Sequence, residues 1–109
     1  MSVSDEEIAH ALELFDGLGG LTTRKMMGGL CIYHDGTIFA LLMSDGQLFL
    51  KGMGDFRDVL DAEGCTRWTY ENPNAKRKPT AMPYWTMPEA ALDDPEEAVA
   101  WARRALEHL

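Results

Sequence analysis

A chain of 109 residues, 46% of them hydrophobic, is the size of one domain with one core, and two domains are excluded. Lys plus Arg number 10 against 18 Asp plus Glu, a net charge of −8 at pH 7, so the surface as a whole repels a phosphate backbone and a general nucleic-acid coater is not expected. The longest run of apolar side chains, Ile38 to Met43, is six residues against the ~20 that span a bilayer, and Asp5, Glu6 and Glu7 stand where a signal peptide needs positive charge; a cytoplasmic protein without membrane association is expected.

Ser4 and Glu7 have capping-box spacing, and Ile8, Ala11, Leu12, Phe15 and Leu18 recur at steps of three and four. This predicts an amphipathic helix from about Asp5 to about Leu18, stopped by Gly17, Gly19 and Gly20. From Thr23 to Lys51 the period falls to two, broken by Asp35-Gly36 and Asp45-Gly46, and strands are expected at 23–27, 30–34, 37–43 and 47–51. Two-residue loops at both Asp-Gly pairs set His34 opposite Thr37, Ile32 opposite Phe39, Met43 opposite Leu48 and Leu41 opposite Leu50. That register puts Leu30, Ile32, Phe39, Leu41, Met43, Leu48 and Leu50 on one face as the main core. Cys31, Tyr33, Ile38, Ala40, Leu42 and Phe49 then form a second apolar face, which needs a cover.

Asp55 to Glu63 reads as a short helix with Phe56, Val59 and Leu60 inward, and Cys65 to Tyr70 as a strand. Residues 71–79, ENPNAKRKP, have the composition of an exposed turn. Ala81 to Thr86 is the returning strand, which Pro83 confines to an edge or a bulge. Asp94, Pro95 and Glu97 supply cap, first-turn proline and capping partner for a last helix, Pro95 to Leu109, striped by Ala98, Trp101, Ala102, Ala105 and Leu109. The fold class is α+β: an N-terminal helix, an antiparallel meander, a later strand pair and two further helices.

His10, His34 and His108 have no metal-ligand spacing, and no metal, cofactor or catalytic group is expected. Cys31 lies among aliphatics as a small hydrophobe; Cys65 has Arg67 two residues on, a cation that would favour the thiolate. Asp55, Asp58 and Asp61 step along one helical face as solvated surface. Met26, Met27, Met43, Met53, Met82 and Met87 are many for one small domain and fill a core or a pliable binding surface. Lys76, Arg77 and Lys78, between strands that carry Trp68, Tyr70, Tyr84 and Trp85, read either as a cationic grip flanked by aromatic rings or as a solvated tip over a buried aromatic cluster.

Thr23-Arg24-Lys25-Met26-Met27-Gly28-Gly29-Leu30, Tyr33, Asp35-Gly36, Phe39-Ala40-Leu41 and Leu48-Phe49-Leu50-Lys51 resemble the N-terminal domain of the TfoX (Sxy) competence-regulator family. Met82-Pro83-Tyr84-Trp85 and Pro88-Glu89 are similar to a later segment of that family, and the resemblance runs over roughly residues 5 to 107. It implies an α+β domain similar to the secretion-chaperone-like folds, which commonly pair as dimers, and it supplies no catalytic residues. Full-length members are implicated in switching on DNA-uptake genes and carry a second, helical domain; here a single stand-alone domain, residues 1–109, is expected.

The leading functional reading is therefore a non-enzymatic binding or regulatory module that works through contacts with an unidentified protein partner. The alternative is an accessory nucleic-acid-binding domain using Lys76, Arg77 and Lys78, with Trp68 and Tyr84 beside them and Arg24 and Lys25 in support. A small enzyme built around Cys65 or a carboxylate pair is the third. A homodimer is expected through the second sheet face, with Tyr33, Ile38, Leu42 and Phe49 at the contact.

Overall fold

The computed structural model describes residues 4–26, 29–70 and 80–109. Ser4 Oγ accepts the Glu7 backbone N–H at 3.2 Å and donates to the Glu7 carboxylate at 3.0 Å. From this cap α1 (Asp5–Leu14) begins, its first-turn carboxylates opposing the positive end of the helix dipole. It ends earlier than its apolar period suggests because the chain tightens into a 3-10 turn, Asp16–Leu18, which keeps Phe15 and Leu18 buried. Gly19 and Gly20, at φ +73° and +60°, then redirect it into β1 (Leu21–Met26). The Asp35 N–H donates to Gly20 O at 3.0 Å, and His34 Nδ1 lies 2.6 Å from Gly19 O, so this exit is fastened to the far end of the next strand.

The chain continues through β2 (Gly29–His34), β3 (Thr37–Leu42), β4 (Leu48–Lys51), α2 (Phe56–Ala62), β5 (Arg67–Tyr70), β6 (Thr80–Thr86) and α3 (Pro95–Leu106). The strands form one antiparallel sheet in the order β1-β2-β3-β4-β6-β5. Asp94 accepts the Glu96 N–H at 3.0 Å and Pro95 occupies the first turn, the cap expected for α3. The later strand pair joins the sheet through β6, so β6 is an interior strand. Its pairing with β5 slips between Arg67 and Thr69, and Pro83 is accommodated in that irregular stretch rather than at an edge.

The meander departs from the expected register at two places. Asp35 and Gly36, at φ +48° and +86°, form the two-residue turn, and His34 faces Thr37. Beyond it Phe39 is an extra residue in β3: Tyr33 faces Ile38, but Ile32 faces Ala40 rather than Phe39. At the next connection Met43 N–H bonds to Gln47 O and Gly46 N–H to Met43 O, both 2.9 Å, with Gly46 at φ +86°. This three-residue loop makes Leu42 face Leu48 and Leu41 face Phe49, in place of the Met43–Leu48 and Leu41–Leu50 pairs. The two shifts cancel, so β2 and β4 keep their expected faces and only the end of β3 inverts. Ala40 and Leu42 join the main core, and Leu41 and Met43 move to the second face.

All three helices lie on one side of the sheet. Ala11 and Leu14 from α1 with Phe15 at its end, Phe56 and Leu60 from α2, and Ala98, Trp101, Ala102 and Ala105 from α3 pack against Leu30, Ile32, Phe39, Leu50 and Trp85. The second face carries a separate cluster, Cys31, Leu41, Phe49 and Tyr84, with Tyr33, Ile38, Met43, Trp68 and Met82 partly buried around it, and no described helical residue belongs to it. Its four central residues are 3–8% exposed, so the centre of this strip is already shut from water within one chain.

Candidate functional site

The second face is built from residues of five strands, with Tyr33, Phe49, Trp68 and Tyr84 as its aromatic part. Trp68 follows Arg67, which faces Trp85, and its ring lies 6.2 Å from Phe49 and 6.5 Å from Tyr84, centroid to centroid. Burial first, then the neighbouring Cys31 thiol and Tyr33 phenol, push Tyr84 up to about 12. Tyr84 is on β6 and those two neighbours are on β2, with β3 and β4 between them in the sheet order, and all three side chains belong to the cluster on this face. Burial also raises the Cys31 thiol, against smaller opposing effects of Tyr33 and Arg24, and its Sγ lies 2.9 Å from Met26 Sδ. With Tyr84 and Cys31 held neutral, the face offers apolar and aromatic contact rather than proton chemistry.

The residues expected at a dimer contact divide. Tyr33, Ile38 and Phe49 share the second face with Trp68 and Tyr84. Leu42 does not: the bulge at Phe39 turns it into the main core, where it is 3% exposed. Lys76, Arg77 and Lys78 lie outside the described residues. Arg24 and Lys25 are exposed on β1, an edge strand, where charges discourage further strand pairing.

The cation expected to activate Cys65 is engaged elsewhere. The Arg67 guanidinium lies over Trp85, 4.7 Å from the ring centroid, and its Nε donates to Met82 O at 2.9 Å. Burial, followed by Glu63 and Asp61, pushes the Cys65 thiol up, away from the thiolate that nucleophilic chemistry needs. His108 stacks on Phe56 at 5.5 Å, and His34 is held at the Gly19 carbonyl. Asp61 accepts the Trp85 indole N–H at 2.8 Å, while Asp55 and Asp58 are exposed as expected. The methionines split between roles: Met87 is in the main core, Met43 and Met82 edge the second, and Met26 and Met53 are exposed. Among the described residues no group of three or more His, Cys, Asp or Glu side chains is placed to hold a metal ion.

Sequence reasoning did not single out a cleft of about 480 Å³ on the helix side. It lies between the start of α1, the β3–β4 loop and residues 92–93, with an apolar floor that includes Leu14, Leu42 and Leu48 and a polar lining of Glu6, Glu7, His10, Asp45 and Asp93. Those carboxylates come from three places in the chain, so no local pattern announces them.

A family model described as the TfoX N-terminal domain matches residues 13–109. The chain is 23% identical over 112 residues to the DNA transformation protein TfoX1 of Aliivibrio fischeri (strain ATCC 700601 / ES114). That alignment takes in 99% of this chain and 52% of the relative, so the chain spans about half the length of the curated protein it matches. No helix among the described residues is long and apolar enough to cross a membrane.

Proposed function

The chain belongs to the TfoX N-terminal domain family, and from that premise we propose that it is a non-enzymatic regulatory module that acts through protein–protein contacts on the second face of its sheet. The relation to a DNA transformation protein supports a regulatory role rather than a chemical one. The observation that carries the reading is the one-sided placement of the helices. They leave the second face with a half-buried rim, Tyr33, Ile38, Met43, Trp68 and Met82, around a closed apolar centre. A rim of this composition, rich in aromatic residues and methionine, is the composition of contact surfaces. The simplest occupant is a second copy in a two-fold arrangement.

Light scattering on a sizing column at micromolar concentration tests it. The expected wild-type mass is twice the single-chain 12.2 kDa, and Ile38→Lys, at the rim, returns it to the single-chain value with an unchanged circular dichroism spectrum. A single-chain mass for the wild type refutes self-association. A dimer unaffected by Ile38→Lys places the contact on another surface.

A further inference from the structure

We propose that the acidic cleft on the helix side is a docking groove for a basic amphipathic segment of a partner protein, which lays an apolar side chain on the floor and a lysine or arginine against the rim. The proposal rests on reading the chain as a contact module, but it uses the side of the sheet opposite the second face.

Three observations carry it. The first is charge: Glu6, Glu7, Asp45 and Asp93 face the cleft together with His10, and among the described residues no lysine or arginine lines it. The fold collects these four from three stretches of chain, so they face one another with His10 among them and no described lysine or arginine to offset their repulsion. The second is the apolar lining. The floor is leucine and alanine, and Leu92 at the edge is 41% exposed, as high as any large apolar side chain described. Lysine and arginine bring a hydrocarbon stem with a charged end, which matches an apolar floor under a carboxylate rim.

The third is an incomplete hydrogen-bond inventory. Ser4 donates to Glu7 Oε1, but Glu7 Oε2 is out of contact with water and has no partner. It lies against Gly46, where an added Cβ would stand 2.7 Å away. A carboxylate oxygen without a donor is unfavourable, and an ammonium or guanidinium entering the cleft supplies one after a small rotation of the Glu7 side chain. The volume, about 480 Å³, is enough for more than one side chain, so a segment fits better than a single small ion.

The test uses the full chain, labelled with nitrogen-15, and two synthetic helical peptides with the same leucine stripe, one flanked by lysines and the other by glutamates. The lysine peptide is expected to shift the amides of Glu7, Gly46 and Asp93, and the glutamate peptide to leave them in place. Glu6→Lys with Asp93→Lys, both exposed positions, is expected to weaken binding by about tenfold or more. Leu92→Ser is expected to weaken it with the charges intact. Reversing Asp55, just before α2, and Asp58 within it is the control for simple attraction to an acidic protein, and an equal loss there overturns the proposal. So does a shift map spread over the whole acidic surface, or Leu92→Ser binding as well as wild type. Shifts confined to the second sheet face overturn the cleft and leave the sheet-face reading standing. If Glu6→Lys with Asp93→Lys instead abolishes self-association in the absence of peptide, the occupant is a second copy, and the proposed partner is wrong.

Discussion

Gly52→Ala probes the junction of α2 with the sheet. A Cβ at this position would stand 2.9 and 3.0 Å from Trp85 Cζ3 and Cε3 and 3.0 Å from Leu60 Cδ1, where carbon atoms normally rest about 3.5–4.0 Å apart. Trp85 is 1% exposed and cannot simply retreat. Its indole N–H is tied to Asp61 at 2.8 Å, and Arg67 covers its ring at 4.7 Å. Leu60, fully buried, closes the other side. Relief therefore displaces the ring or α2 by about half an ångström, and overpacking of this kind costs ~1–3 kcal/mol. With a urea slope of ~1–3 kcal/mol per molar for a small domain, the unfolding midpoint falls by about 1 M. Urea titration followed by tryptophan emission reads both the midpoint and any change around Trp85. A midpoint equal to wild type would show that the junction is looser than these distances state. A second arm separates strain from general weakening: if the ring is pinned by Asp61, Gly52→Ala and Asp61→Ala are non-additive, because releasing the indole lets the ring move.

Three further expectations follow from local features. Tyr84 is raised in the fold from 10.0 to about 12, so the unfolded chain ionises first as pH climbs. Its contribution is fully present below pH 10 and lost towards pH 12; Tyr84→Phe flattens that fall, and equal pH–stability curves for the two proteins refute it. Both thiols are raised, so at about pH 8 Cys31 and Cys65 react with a neutral aromatic disulfide more slowly than a free model thiol, and a faster Cys65 would reinstate an activated cysteine. Asp94→Ala removes the α3 cap and costs ~0.5–2 kcal/mol, read from thermal melts by circular dichroism; an unchanged melt means the Glu96 N–H finds another acceptor.

The parts of the fold governed by near neighbours in sequence were legible. Ser4 with Glu7, Asp94 with Pro95, and Asp35 with Gly36 each specify a cap or a turn through contacts a few residues apart, and each forms as expected. The inversion at the end of β3 was not legible, because an inserted residue and a longer loop leave the apolar pattern of β2 and β4 unchanged. In a run as uniformly apolar as Ile38 to Met43, either register buries a leucine on each face, so hydropathy carries no information about which one forms. The candidate site was half legible for the same reason: Tyr33, Ile38 and Phe49 keep their face and Leu42 loses it. Arg67 over Trp85 and the four carboxylates of the cleft depend on chain-distant elements meeting, and no periodicity reports that.

The strand order also has a consequence for how the chain folds. β1 to β4 each pair with the next strand in sequence and can assemble from neighbouring contacts, whereas β6 reaches β4 only after α2 and β5 have intervened in the chain. The sheet thus has a seam, three paired positions long, at Phe49–Thr86, Leu50–Trp85 and Lys51–Tyr84. Closing it means closing a long loop, an entropic penalty that the hairpins avoid. Trp85 stands on the seam, so burial of its indole marks the moment the two halves of the sheet become one. The same seam is where a β5–β6 strand pair that left its own chain would have to be replaced by that of a neighbour, the geometry from which domain-swapped pairs arise.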